Sequence, residues 1–424
     1  MRADALDAPQ RLLVLAVCVA LALALAPAAE ARAPWKRRLD HLAGGHAIGI
    51  AVHQRGRFIY GYKARDRRAP ASNEKLLLSM ALLDRLGPAF RIPTVAAVHS
   101  RRGGHVPGSL WVLGRGDPAV ASQSAFTRSL PFRPTRVGRL AHRIANAGIT
   151  SIGGRVMGSR TYFKHDWNAP GWRSYYRSIY IALPTALTFN GNVHRRRHTK
   201  QPERLLARRL TRKLRRVGVR VGGPPGMGRP SHSLLAIAKV RSRSLRTLLR
   251  YTNRKSSNFF AEVLGKRLAV ERSGPPGTIA GAARAIAAWV RSRGVRVEAH
   301  DSSGLSHANR VSPRGLVRLL VFARKQSWGR VLFKSLPAAG QGTLEDRLGG
   351  VRLRAKTGTL IGASALSGWV WRRGPHAWAT FSILSRGMPK FRAAALEDRI
   401  VRILARSGGP SSDVLSAYAG RYPA

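Results

Sequence analysis

Apolar and polar positions fall into runs whose period changes along the chain. Leu76, Leu77, Leu78, Met80, Leu82, Leu83 and Leu86 cover most of a helix surface, which predicts a buried helix over residues 72–86. Gly87-Pro88 places a glycine just past that helix and a proline beyond it, the usual stop signal. Upstream, residues 47–70 alternate in strand period on both sides of Gln54-Arg55-Gly56, which predicts two strands around a polar turn. Short strand-type runs at 109–118 and 149–158 then alternate with helices and Gly/Pro turns. Leu206, Leu210, Leu214 and Val217 define one apolar stripe in a helix–Gly–strand unit at 206–221, and a similar unit follows at 283–297. Long helices resume after residue 240. Residues 355–387 read as an antiparallel hairpin or meander turning at Arg372–Pro375.

The change of texture between residues 95 and 240 predicts a separate mixed domain, because structureless insertions of that size are rare. Residues 1–33 stand apart. Leu12–Ala26 is unbroken apolar sequence followed by Ala29-Glu30-Ala31 and Ala31-Arg32-Ala33, small residues at the −3 and −1 positions of a secretory signal. Asp4 and Asp7 offset Arg2 and Arg11 ahead of it, so an uncleaved N-terminal anchor is the alternative. The only cysteine, Cys18, lies inside the apolar stretch, which leaves the remaining chain without disulfides, cysteine-ligated metal or a thiol nucleophile. Export to the periplasm or the extracellular wall space is the expected destination.

Charge changes the picture of partners. The chain carries 75 Lys+Arg against 19 Asp+Glu, a formal charge of +56. Such a surface attracts polyanions in a salt-dependent way. Its basic residues are spread over the whole length, with no zinc-finger spacing, basic zipper or basic tail, which argues against nucleic acid. Anionic wall polymers or a membrane surface suit an exported chain better, and an ordinary solvated arginine-rich surface is the plain alternative. The 13 histidines include no His-Glu-x-x-His, so a metal enzyme is not expected, nor is any cofactor.

The candidate chemistry sits in three places. Ser72 and Lys75 are three apart at the mouth of the leucine-rich helix, where i and i+3 side chains point the same way. Ser256 and Asn258 form a Ser-x-Asn at a helix start, and Lys356-Thr357-Gly358-Thr359 opens a strand-type run. Singly each has a plain reading: Ser72 and Asn258 as helix caps, Lys356 as a surface lysine. In this order they are the Ser-x-x-Lys, Ser-x-Asn and Lys-Thr-Gly of penicillin-binding proteins and serine β-lactamases. The residue types suit that chemistry. A neutral amine one turn away can take the proton of Ser72. The helix N-terminus and Lys356 would lower the pKa of Lys75. Lys356 keeps its charge and holds a substrate carboxylate with the hydroxyls of Thr357 and Thr359. Ser256 passes a proton to the departing amine, Asn258 braces Lys75 and the substrate amide, and Gly358 lets the strand lie close to the substrate. Backbone N–H groups of Ser72 and Thr359 stabilise the oxyanion.

The chain resembles the D-alanyl-D-alanine carboxypeptidases/endopeptidases that form the class C low-molecular-mass penicillin-binding proteins. The likeness rests on 70–77, 113–120, 182–193, 301–313, 336–347 and 356–368, nearly the whole of the chain after residue 33. It implies an α/β (α+β) fold: a penicillin-recognising core of helices on an antiparallel sheet, built from 34–95 and 241–424. A mixed α/β domain (96–240) would be inserted between the first and second motifs. It also implies cleavage of the D-Ala-D-Ala bond of peptidoglycan stem peptides through an acyl-enzyme at Ser72, with cross-link endopeptidase activity beside it and β-lactams as covalent inhibitors. Many relatives carry an Asp that reads the substrate's diamino acid where this chain has Ser159. A β-lactamase is the competing enzyme, but no Glu-x-x-Leu-Asn follows Ser-x-Asn. A basic wall-binding scaffold with little turnover is the non-enzymatic alternative.

Overall fold

The computed structural model describes residues 33–407 apart from position 232. The expected export signal, Cys18 and residues 408–424 lie outside the described residues. Two five-stranded sheets organise the rest.

Helix α1 (Pro34–Ala43) leads into β1 (Ile48–Gln54) and β2 (Arg57–Tyr62). Their turn is two residues long, with Arg55 at φ 47° and Gly56 at φ 81°, the left-handed pair that matches strand twist. A 3₁₀ turn at Ala71–Asn73 then opens α2 (Glu74–Leu86). Ser72 therefore lies in the turn ahead of the α-helix and does not cap it. Every residue from Glu74 to Leu82 is buried, so α2 is a central helix packed on all sides.

The middle of the chain builds the second sheet. Its strands are β3 (Pro93–Val98), β4 (Leu110–Gly114), β5 (Val156–Ser159), β6 (Gly226–Gly228) and β7 (Leu235–Arg241), in the order β6-β5-β4-β3-β7. The β6–β5 and β5–β4 pairs are parallel and the other two antiparallel. Helices α3 (Val137–Ala145) and α4 (Pro202–Arg216) share a core with this sheet. In α4 the stripe expected from the sequence is in place, with Leu206, Leu210 and Leu214 fully buried. The helix starts at Pro202, a first-turn proline, and Gly218 at φ 82° turns the chain into a short strand at Arg220–Val221.

The chain then returns through α5 (Leu245–Arg254), α6 (Asn258–Ser273), α7 (Ile279–Arg291) and α8 (Pro313–Lys325) to a meander: β8 (Leu353–Leu360), β9 (Ala363–Arg372) and β10 (Ala377–Arg386). This meander joins the N-terminal hairpin in one antiparallel sheet of order β8-β9-β10-β1-β2. Both ends of the described chain thus make one sheet. Side-chain alternation divides its two faces: Leu366 and Val370 pack with α1 and α9 (Lys390–Arg406), whereas Ala365 and Trp369 face the core of α2, α5, α6, α7 and α8. One edge strand is β8, which carries Lys356 to Thr359. Among the described residues no helix is long and apolar enough to cross a membrane.

Candidate active site

Three elements converge on one cavity of about 900 Å³. The 3₁₀ turn presents Ser72, the start of α6 presents Ser256 and Asn258, and β8 presents Thr357 and Thr359. Tyr175, Tyr176 and Tyr180, from the loop before residue 182, add aromatic wall. Lys75 and Lys356 stand behind the serines with no solvent exposure.

Missing side chains bring the elements this close. A Cβ on Gly358 would lie 2.8 Å from the Pro70 carbonyl oxygen and 3.0 Å from the Ser72 nitrogen. Gly358 therefore lets β8 lie against the Ser72 turn, a close approach beside the one to substrate expected of it. Gly304, at φ 80°, similarly lets the 301–304 loop touch Ala71; a Cβ there would sit 1.9 Å from the Ala71 carbonyl oxygen. Asn73 Nδ2 donates to Ser367 Oγ at 2.8 Å, pinning the turn to β9. Ala71 (φ 47°) and Ser256 (φ 52°) hold left-handed conformations that non-glycine residues rarely adopt, at roughly 1–3 kcal/mol each. Both flank or belong to the reactive groups.

Lys75 Nζ donates to Ser72 Oγ at 2.9 Å, to Asn258 Oδ1 at 2.8 Å and to the Ser303 carbonyl at 2.5 Å. An ammonium there would use all three N–H groups. A neutral amine keeps two of them and turns its lone pair to the Ser72 hydroxyl. Across the cavity Lys356 Nζ donates to Ser256 Oγ at 2.9 Å and to the Thr357 carbonyl at 2.7 Å. Thr357 Oγ1 meets Thr343 Oγ1 at 2.7 Å, and Asn258 Nδ2 donates to the Tyr180 carbonyl at 3.2 Å.

Burial sets the charges. It lowers Lys75 to about 8, against the upward pull of Asp301, Glu262 and Glu74. The expected causes, a helix N-terminus and Lys356, are not the leading ones. Lys356 is pushed well below the ordinary lysine range by its own burial and then by the charge of Lys75. Burial thus works against the charge expected on Lys356, and a carboxylate beside it would favour the ammonium. Glu74, buried next to Lys75, is raised well above the usual carboxylate range by desolvation and by Asp301 and Glu262.

The structure brings Ser72, Lys75, Ser256, Asn258, Lys356, Thr357, Gly358 and Thr359 together, as the motif order anticipated. Ser159 ends β5, is buried, and its Oγ lies 3.1 Å from Thr161 Oγ1, apart from the residues that line the cavity. Sequence reasoning missed the buried acids and the Ser303 carbonyl. Asp301 accepts from the Gly304 and Ser306 N–H groups, Asn309 Nδ2 and Trp172 Nε1, tying the 301–309 loop into a knot. Glu262 was legible in principle, because it stands one helical turn after Asn258 on the same face.

Comparison with known proteins agrees with this geometry. The profile of the D-Ala-D-Ala carboxypeptidase 3 (S13) family matches residues 38–203 and 190–407. The D-alanyl-D-alanine carboxypeptidase of an Actinomadura species is 25% identical over 465 residues, covering 87% of this chain and 83% of its own. Carboxypeptidase DacB of Mycolicibacterium smegmatis is 28% identical over 345 residues, covering 76% and 72%. Among solved structures, penicillin binding protein 4 from Haemophilus influenzae superposes with a TM-score of 0.73 at 19% identity, over 87% of this chain and 99% of that one. That likeness is one of fold. The chain belongs to the D-Ala-D-Ala carboxypeptidase 3 (S13) family of serine peptidases.

Proposed function

We propose that this chain hydrolyses the D-Ala-D-Ala bond of peptidoglycan stem peptides through an acyl-enzyme on Ser72, and that the same centre opens D,D cross-links. The observation that carries the reading is the double Ser–Lys arrangement: Lys75 on Ser72 and Lys356 on Ser256, each at 2.9 Å, around one cavity. Neutral Lys75 takes the Ser72 proton as Oγ attacks the carbonyl of the penultimate D-Ala. The backbone N–H groups of Ser72 and Thr359 receive the oxyanion. The C–N bond then breaks, Ser256 delivers a proton to the leaving amine, and Lys356 resupplies Ser256. Lys356, Thr357 and Thr359 hold the terminal carboxylate, whose charge restores the ammonium of Lys356. Water then adds to the ester carbonyl, its proton passing through Ser256 to restore Lys356, and Lys75 returns the proton it holds to Ser72 Oγ as the ester bond breaks. A cross-link ends at the same D-alanyl carbonyl, so the acylation step is common to both activities.

Such a substrate lies outside the cytoplasmic membrane, which agrees with the apolar Leu12–Ala26 stretch as an export signal. β-Lactams would acylate Ser72 and stay there. Anionic wall polymers or a membrane surface would be drawn to the +56 charge. The two sheets would mark two domains. The inserted one would run over about residues 93–241, because β3 and β7 straddle the boundaries read from sequence texture at 95/96 and 240/241. The test is release of D-alanine from a peptide ending in D-Ala-D-Ala by the full chain and by Ser72→Ala. Turnover that is lost in the variant supports the reading, and turnover that survives the substitution overturns it.

A further inference from the structure

Three residues on one face of α6, spaced four apart, reach three separate parts of the site. Asn258 accepts from Lys75. One turn on, Glu262 Oε1 accepts from the backbone N–H groups of Ser302 at 2.9 Å and Ser303 at 2.7 Å. A further turn on, Lys266 Nζ donates to the carbonyls of Lys164, Asp166 and Pro184. The middle contact bears directly on the reaction, because the Ser303 carbonyl is the third acceptor of Lys75. α6 can approach the loop this closely because position 265 is glycine: a Cβ there would lie 2.0 Å from Ser302 Oγ. Both partners are sealed from solvent, so each N–H of this pair needs the acceptor that Glu262 supplies.

We propose that Glu262 is a positioning residue for the proposed base: by holding the Ser302 and Ser303 N–H groups it aims the Ser303 carbonyl at Lys75 Nζ and so fixes the amine against Ser72. The inference rests on the reading of Ser72 and Lys75 given above. Without the carboxylate the buried N–H groups of the 301–302 and 302–303 peptides lose their acceptor, the backbone entering Ser303 is free to shift, and the adjoining 303–304 peptide, whose carbonyl Lys75 uses, loses its fixed position. Asp301 holds the next peptide through Gly304 N–H and the loop beyond through Ser306, so Ser303 is fixed by Glu262 on its N–H side and by Asp301 on its carbonyl side. Glu262 does not line the cavity. Its action passes through backbone.

The charge of Glu262 supplies a second readout. The charged and titratable groups around it are Asp301, Glu74, Lys75 and Lys266, and Lys75 in turn acts on Lys356. Glu262, itself raised to about 8 by burial and by Asp301, is when ionised among the groups that raise Lys75, so a permanently neutral side chain lets the pKa of Lys75 fall and moves the rising limb of acylation to lower pH.

The experiment is the rate of fluorescent-penicillin acylation of the full chain, with thermal unfolding beside it, for wild type, Glu262→Ala and Glu262→Gln. Glutamine keeps an oxygen that can accept both N–H groups. Expected are a loss of about tenfold or more in the acylation rate constant for E262A, with apparent affinity changed less. E262Q recovers most of the rate and shows its pH limb displaced downward. A folded E262A that acylates as fast as wild type overturns the proposal, as does an E262Q no faster than E262A. Should E262A not fold, the pH limb of E262Q decides: displacement supports the role, an unmoved limb overturns it. A wild type that takes no label would instead refute the acyl-enzyme reading, and the two failures are distinguishable.

Discussion

Lys75 is held by three acceptors and no solvent, and that environment makes its protonation the switch of the site. An amine lowered to about 8 is protonated below that pH and free to accept the Ser72 proton above it. The acylation rate should therefore climb as pH rises through about 8 and level off beyond. Single-turnover labelling against pH checks this, and a limb near the ordinary lysine value would contradict it. Lys75→Arg, which cannot lose its proton, should acylate at least about a hundredfold more slowly. Gly358→Ala should also be costly, since its new Cβ meets the backbone of Pro70 and Ser72. A loss of about tenfold or more in acylation, in a folded protein, is the expected result. That Ser72, Lys75, Ser256, Asn258 and Lys356 meet was legible in the sequence because their residue types recur in motifs of fixed spacing and order. The Ser303 carbonyl was not, because any residue type offers one. The contact of Gly358 with the Ser72 turn was not legible, because the sequence does not say which backbone passes beside it.

At the scale of elements, the amphipathic units were the readable ones. The stripe of α4, the Gly87 and Gly218 terminations and the β1–β2 turn follow from local period and turn chemistry. The 3₁₀ turn before α2 did not, because a helix start looks the same in sequence whether its first turn is tight or regular. Neither did the knot around Asp301, whose donors mix backbone N–H groups with side chains as distant in sequence as Trp172. Leu210 is fully buried between α4 and the second sheet, so Leu210→Ala should lower stability by about 2–5 kcal/mol. If that sheet belongs to a separate inserted domain, the variant should still be acylated at the wild-type rate well below its unfolding transition. Urea unfolding and penicillin labelling measured together test this. Lost labelling in protein that is still folded would tie the second sheet to the site. Lys266→Met should loosen the 164–184 segment and its tyrosines, raising KM for peptide more than it lowers kcat.

For the whole molecule, the closing of one sheet by both ends of the chain is a non-local fact that periodicity cannot reveal. The resemblance to a known family supplied it, and the β1–β10 pairing bears it out, from Ile48 opposite Ser385 to His53 opposite Thr380. The net charge is equally a property of the whole. With +56 on one chain, self-repulsion opposes compaction, and salt screens it over a Debye length of about 10 Å at 0.1 M. Thermal stability should therefore rise with added sodium chloride, and retention on an anionic polymer should fall. Stability that declines monotonically with salt would show that local ion pairs such as Arg347 with Glu397 and Asp398 outweigh the global repulsion.

The account stands most directly on the bond it assigns to Ser72. Full-length protein treated with a fluorescent penicillin, digested and mapped by mass spectrometry, should carry one adduct on the peptide containing Ser72, and Ser72→Ala should carry none. An adduct on another residue, or an undiminished adduct in the variant, would contradict the assignment of the nucleophile and with it the roles given to every residue around it.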